Sequence, residues 1–293
     1  MDLVCVGDVM LDIRVDAEAL KRGGDVHGRV LLQPGGTSAN AAAWAAWAGA
    51  STRVLGRIGD DLQGRTVRGE LEERGVEAAL TVDTEAPTGT MLVVHEPGER
   101  SMVADRGANA RLEPDDLPAT IEAGAVLVSG YLLLQDPGHD AGVAAIERAR
   151  APFVAVEAAS WPLVEAFGAE RYLGESVNAN VVLANSREAE ALTGGRTGAD
   201  AAARLGESFE FAAVKLDARG AVLCARGEVL VADAEPVTVA DPTGAGDAFD
   251  GVLLAMLVAG VTPAEALARA CHAGALAAAE RHAWPHPEAS ARG

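Results

Sequence analysis

Lysine is almost missing from this 293-residue chain: Lys21 and Lys215 are the only two, and neither sits in a GxxxxGK[ST] loop. A Walker-type phosphate-binding loop is thereby excluded. Cysteine is as scarce, and Cys5, Cys224 and Cys271 are an odd number, far apart and without CxxC spacing. That excludes a disulfide framework and a cysteine-rich zinc site, and it reads as reduced thiols. Positive charge is in deficit overall, with 24 Lys+Arg against 43 Asp+Glu and a formal charge of −19. Without a basic stripe, neither nucleic acid nor an anionic membrane is an expected partner. The apolar stretch Ala245–Gly260 is too short to span a bilayer and carries Asp247 and Asp250, so it reads as a buried helix. The N-terminal MDLVCVGDVMLD has acidic residues where a signal peptide has basic ones, which predicts no secretory leader and a cytoplasmic location. His282 and His286 are separated by Pro285, which breaks the helix that would align them on a metal.

The chain has a hydrophobic fraction of 49%, enough for a sizeable core, and its length fits two domains or one large α/β unit. Short β-branched runs at Leu3–Val6, Arg53–Ile58, Ala125–Ser129, Phe153–Val156, Val181–Ala184 and Phe211–Leu216 read as strands. They alternate with Ala/Leu-rich helical stretches at Ser38–Ala48, Leu62–Arg74, Gly138–Ala149, Ser186–Leu192, Ala199–Leu205, Ala245–Ala259 and Ala264–Arg281. That rhythm predicts an α/β fold with a mainly parallel sheet covered on both faces. Two segments break it: Asp12–Gln33, and Leu80–Asp105 with turns at Ala86-Pro87 and Pro97-Gly98. Both read as insertions that pair into a small β-sheet, a lid able to exclude water.

The densest chemistry lies in Asp241-Pro-Thr243-Gly244-Ala245-Gly246-Asp247-Ala-Phe, followed at once by an apolar helix. Small residues at 244–246 let backbone approach an anion, and the free N–H groups of a helix start favour negative charge. Asp247, in the first turn, is placed to accept a proton from a hydroxyl beside that anion, or else simply caps the helix. Two further groups have plain structural readings. Asn185 and Glu188, spaced NxxE at a helix start, form a capping box. Gly35-Gly36 is a turn before a helix.

Taken together, DPTGAGDAF, Gly35-Gly36-Thr-Ser-Ala-Asn40 and Asn185-Ser-Arg-Glu188-Ala-Glu-Ala-Leu-Thr-Gly194 resemble the ordered motifs of the ribokinase-like (PfkB) carbohydrate kinases. The resemblance spans about the whole chain. It implies a three-layer α/β/α core with a mainly parallel sheet, formed by residues 1–11, 34–79 and 106–293, and a small β-sheet lid formed by 12–33 and 80–105. It implies ATP-dependent phosphorylation of a primary hydroxyl of a free sugar, with a nucleoside as the alternative acceptor and a non-catalytic sugar-binding member as the other rival.

Carried over by position, Asp247 is the catalytic base, and Gly244, Ala245 and Gly246 are the anion hole for the transferring phosphoryl group. The resemblance further implies that Asp12, Gly35, Gly36 and Asn40 bind the sugar and that Asn185, Glu188, Lys215 and Gly220, with Gly244 and Gly246, border the nucleotide. It implies that Glu188 holds Mg²⁺ through water, that ATP is the cosubstrate, and that Asp241 and Thr243 contribute to a monovalent-cation (K⁺) site. The second half of that cation site belongs to the C-terminal loop, where many members have Gly-Pro and this chain has Arg281-His-Ala-Trp-Pro. The Asp-x-Asn-x-Arg stretch common in sugar-acid and fructose kinases is also missing, since Glu157 stands for the Asp and the Asn and Arg are absent. That departure points away from those branches. Arg106 is a candidate fork for an acidic acceptor, and the resemblance implies a homodimer through the lid, which the apolar Met91–Val94 strand would allow.

Overall fold

The computed structural model describes residues 1–96 and 99–285; the Pro97-Gly98 turn and His286 lie outside the described residues. The large sheet contains β1 (Leu3–Val6), β4 (Thr52–Gly59), β5 (Val76–Asp83), β9 (Ala125–Val128), β11 (Phe153–Glu157), β12 (Val181–Asn185), β13 (Phe211–Lys215), β14 (Ala221–Ala225) and β15 (Glu228–Ala232). A smaller sheet holds β2 (Met10–Ala17), β3 (Gly28–Gly35), β6 (Gly89–Glu96) and β7 (Glu99–Asp105), and β8 (Ile121–Glu122) pairs with β10 (Ala149–Arg150). The helices are α1 (Thr37–Trp47), α2 (Leu62–Glu73), α3 (Gly130–Leu133), α4 (His139–Arg148), α5 (Trp161–Phe167), α6 (Ala169–Glu175), α7 (Ser186–Thr193), α8 (Gly198–Leu205), α9 (Ala245–Val258) and α10 (Pro263–Ala279).

The order in the large sheet is β15-β14-β13-β12-β11-β9-β1-β4-β5, parallel except for the β13-β14-β15 edge. Alternation along β1 shows why there are three layers. Leu3 and Cys5 enter the core shared with α1, α9 and α10, whereas Val4 and Val6 enter the one shared with α4, α7 and α8. The three cysteines are buried and free, and among the described residues no helix is long and apolar enough to cross a membrane.

The segment Leu80–Asp83, expected in the lid, instead completes β5, which pairs with β4 along its whole length. Val76, Ala78 and Leu80 are buried there, and Asp83 is held by Arg57, so the strand is more stable at the edge of the large sheet. The β14–β15 hairpin has no counterpart among the expected strands. In the small sheet, β2 pairs antiparallel with β3 and parallel with β6, and its two faces differ in kind. Asp12, Arg14 and Asp16 share one face by their alternation along β2. On the opposite face Ile13, Leu32, Leu92 and Val103 lie in register, with Leu32 66% and Val103 64% exposed.

The chain reverses direction across the sheet at β1, whose neighbours are β4 on one side and β9 on the other. In open α/β sheets, the crevice beyond the strand C-termini at such a point is where ligands bind.

Candidate active site

The side chains with chemistry come from those C-terminal ends: Asp8 and Asp12 follow β1, Glu157 ends β11, Asn185 ends β12 and Lys215 ends β13. The N-terminus of α9 meets them. Its Ncap, Gly244, has φ 83°, a left-handed conformation that favours glycine, and no side chain caps the helix. The first-turn amides at Gly246 and Asp247 have no partner within the helix. Helix α9 packs so closely on α1 that a Cβ at Gly251 would lie 2.1 Å from the Ala41 carbonyl oxygen. The close approach sets Asn40 beside Asp247, and the Asn40 amide donates to Asp247 Oδ2 at 2.6 Å.

The amide of Asn40 is itself fixed. The indole of Trp284 donates to Asn40 Oδ1 at 2.6 Å, and the indole of Trp44 donates to the Ala283 carbonyl at 2.8 Å. In the sequence the 281–285 loop shows only a departure from Gly-Pro, with no signal that Trp284 reaches the site. Burial pushes the Asp247 carboxyl up to about 7; Asp250 and Asp12 add to the shift, and the Asn40 amide and Lys215 oppose it.

Lys215, which the resemblance puts beside the nucleotide, reaches the start of α9. Lys215 Nζ donates to Asp250 Oδ2 at 2.6 Å, and a Cβ on Gly246 would sit 3.5 Å from the same nitrogen. Burial opposes the ammonium charge, yet Asp250, Glu157 and Glu188 outweigh it and hold Lys215 protonated. Asp250 is fully buried, and its signal in the sequence was an acid three residues after Asp247 in an otherwise apolar helix. Glu157 is pushed well up by burial and by Asp247. Glu188 and Asn185 form a complete capping box: the Asn185 backbone N–H donates to Glu188 Oε2 at 2.7 Å, and the Glu188 N–H donates to Asn185 Oδ1 at 3.0 Å. Glu188 is also pushed up by burial. Gly220 lies in the tight turn between β13 and β14, where a Cβ would collide with the Ala232 carbonyl.

At the small sheet, Asp12 is buried and is raised to about 7, by burial first and then by Asp241. Gly35 lies diagonally across on β3, paired with Met10, and a Cβ there would come within 2.4 Å of the Asp12 carboxyl. The glycine makes room for that acid. Gly36 packs on the Asp8 backbone at the start of α1. Arg106 is committed to protein groups, donating to Asp8 Oδ1 at 2.9 Å and to Gln135 Oε1 at 3.1 Å.

Asp241, carried over as a cation ligand, holds its own loop: the Thr243 N–H and O–H donate to its Oδ1 at 3.0 and 2.7 Å. Its Oδ2 takes the guanidinium of Arg14, which a sequence alone gave no reason to place there.

The profile of the family described as pfkB family carbohydrate kinase matches residues 1–287. The chain belongs to this family. A 2-dehydro-3-deoxygluconokinase from Thermoproteus tenax is 34% identical to this pfkB kinase over 86% of the chain and 82% of the relative. The sugar-acid branch is thus represented among its relatives despite the missing Asp-x-Asn-x-Arg stretch. An adenosine kinase structure from Sinorhizobium meliloti superposes with TM-score 0.86 at 24% identity, covering 97% of this chain and 95% of that one. A fructokinase double mutant from Vibrio cholerae O395, solved with fructose, ADP and a potassium ion, gives TM-score 0.79 at 24% identity, with 97% and 94% covered. Both structures share the ribokinase-like fold with this pfkB kinase.

Proposed function

We propose that this pfkB kinase transfers the γ-phosphate of ATP to the hydroxymethyl group of a free sugar, with Asp247 as the general base. The observation that carries the reading is the Asp247 carboxylate in the first turn of α9. It is aimed by Asn40, it is raised to about 7, and it adjoins the start of α9, where the Gly246 amide has no partner within the helix. A base whose pKa is near the working pH combines the ionised form with useful driving force. The acceptor hydroxyl gives its proton to Asp247, its oxygen bonds to the γ-phosphorus, and the bond from that phosphorus to the ADP oxygen breaks. Charge on the transferring group is met by the Gly244–Gly246 amides and by Lys215, a requirement of phosphoryl transfer that needs no covalent help from the protein.

Asp12, Gly35, Gly36 and Asn40 bind the sugar in this reading: two polar side chains for hydroxyls and two glycines that let the ring approach. The residues Asn185, Lys215 and Gly220 border the nucleotide. Arg14 and Arg106 are both committed to carboxylates, which favours a neutral sugar over a sugar acid.

Among the described residues no group of three His, Cys, Asp or Glu could hold a metal ion. Mg²⁺ needs no such cage, since one carboxylate, waters and phosphate oxygens suffice. The residues fit it: Asp250 Oδ1 is buried without a hydrogen-bond partner, and the charges of Asp250, Glu157 and Glu188 converge on one lysine, Lys215. Glu188 would hold the ion through water, and the chemistry it supplies when bound is neutralisation of phosphate charge. The outward apolar face of the small sheet fits a second copy of the chain, giving a homodimer through the lid.

The test is ADP release with ATP and Mg²⁺ over pentoses, hexoses, sugar acids and nucleosides. Turnover with a neutral sugar supports the reading. Turnover confined to nucleosides or to sugar acids replaces its acceptor, and silence across the panel with folded protein removes the catalytic role.

A further inference from the structure

Two chain segments that a monovalent cation would bridge are already bridged here by protein. Arg14, on β2, is 3% exposed. Its Nη1 donates both to Asp241 Oδ2 and, at 3.1 Å, to the backbone carbonyl of Arg281. One acceptor starts the loop that leads into the anion hole; the other is in the C-terminal loop that carries Trp284. His95 Nε2, on β6, faces the same Asp241 oxygen at 3.5 Å. Arg281 in turn donates to Asp16 Oδ2 at 3.1 Å, so the small sheet grips the C-terminal loop from two residues on one face of β2.

The donor set does not suit potassium. A carboxylate whose Oδ1 holds Thr243 and whose Oδ2 holds a guanidinium offers an added cation a like charge at contact distance, and like charges at that range repel. A planar, always-charged guanidinium with donors fanned toward a carboxylate and a carbonyl meets the same two oxygens with directional bonds.

We propose that Arg14 is a built-in cation, a positioning residue that joins Asp241 to the Arg281 carbonyl and so orders the 241–246 loop without a bound monovalent ion. The proposal rests on the kinase reading above for its activity readout only. Because Arg14 belongs to the small sheet, placement of the anion hole is tied to the docking of that sheet on the core.

The experiment exchanges KCl for NaCl or tetramethylammonium chloride at constant ionic strength, and records both ADP release and melting temperature. For the wild-type protein the expected rate is the same within about twofold in all three salts, and the melting temperature agrees within about 1 °C. The variant Arg14→Ala is expected to lose about tenfold or more in kcat. Arg14→Lys is expected to retain more of the rate, and methylguanidinium to restore part of that of Arg14→Ala while leaving Asp247→Asn inactive. A wild-type rate or melting temperature that rises specifically with K⁺ overturns the proposal, and so does a full rate in Arg14→Ala. The salt comparison needs no variant, so a misfolded Arg14→Ala does not spare the proposal. If no acceptor gives turnover, the kinase reading fails separately and the melting temperatures still decide about the cation.

Discussion

The indole N–H of Trp284 donates to Asn40 Oδ1 at 2.6 Å, and the amide nitrogen of Asn40 therefore faces Asp247 Oδ2, also at 2.6 Å. An indole is a donor only, so it dictates which end of the amide it meets. Replacing Trp284 by Phe leaves the buried Asn40 oxygen unpaired, at about 1–3 kcal/mol. The account expects Trp284→Phe to lower kcat/KM by roughly tenfold or more, with circular dichroism unchanged. Unaltered kinetics would show that the orientation of Asn40 does not matter to the reaction.

Lys215 and Asp250 form a buried pair beside Gly246. Removing one member strands a charge, at a cost of about 3–5 kcal/mol. Lys215→Met should therefore melt well below wild type, and the double variant Lys215→Met/Asp250→Leu should recover much of that loss while turnover stays low. Independent, additive losses in melting temperature would contradict the pairing.

Asp247 and Asp12 are both raised to about 7, in each case chiefly by burial. A base must be ionised to act, so kcat/KM should fall as pH drops through about 7. Stability moves the other way. The native pKa of Asp247 is above its unfolded value, so its contribution is intact below about pH 4 and lost as pH rises through about 7. Asp247→Asn removes that loss. Its melting temperature should exceed wild type at about pH 8, and the gain should vanish by about pH 4, as calorimetry across that range would show.

Leu32 and Val103 lie on the outward face of the small sheet, well exposed beside Ile13 and Leu92. Light scattering should return the mass of two copies for the wild type and one copy for Leu32→Asp/Val103→Asp. A monomeric wild type would contradict pairing through this face.

Much of this architecture is legible in the sequence because it depends on local pattern. The apolar runs of β1, β9, β11, β12 and β13 and the Ala-rich helices α1, α9 and α10 fall within two residues of where periodicity puts them. The end of β5 differs from expectation because ALTVD looks the same in a lid as at a sheet edge; pairing with β4 decides it, and pairing is not local. The site divides in the same way. Asp247 and the capping pair Asn185 and Glu188 stand out by their spacing at helix starts, whereas Asn40 and Asp12 are named through the family resemblance. Arg14, Asp250 and Trp284 acquire their roles only when the small sheet, α9 and the C-terminal loop meet, and two of those contacts span more than two hundred residues of chain.

In the proposed reaction Asp247 takes the acceptor proton. The direct measurement is kcat of Asp247→Asn against wild type with saturating ATP, Mg²⁺ and the acceptor found in the panel, with acceptor binding measured separately by calorimetry. The account predicts acceptor binding within about threefold of wild type and a kcat lower by about a thousandfold. A variant that turns over at near the wild-type rate would contradict it.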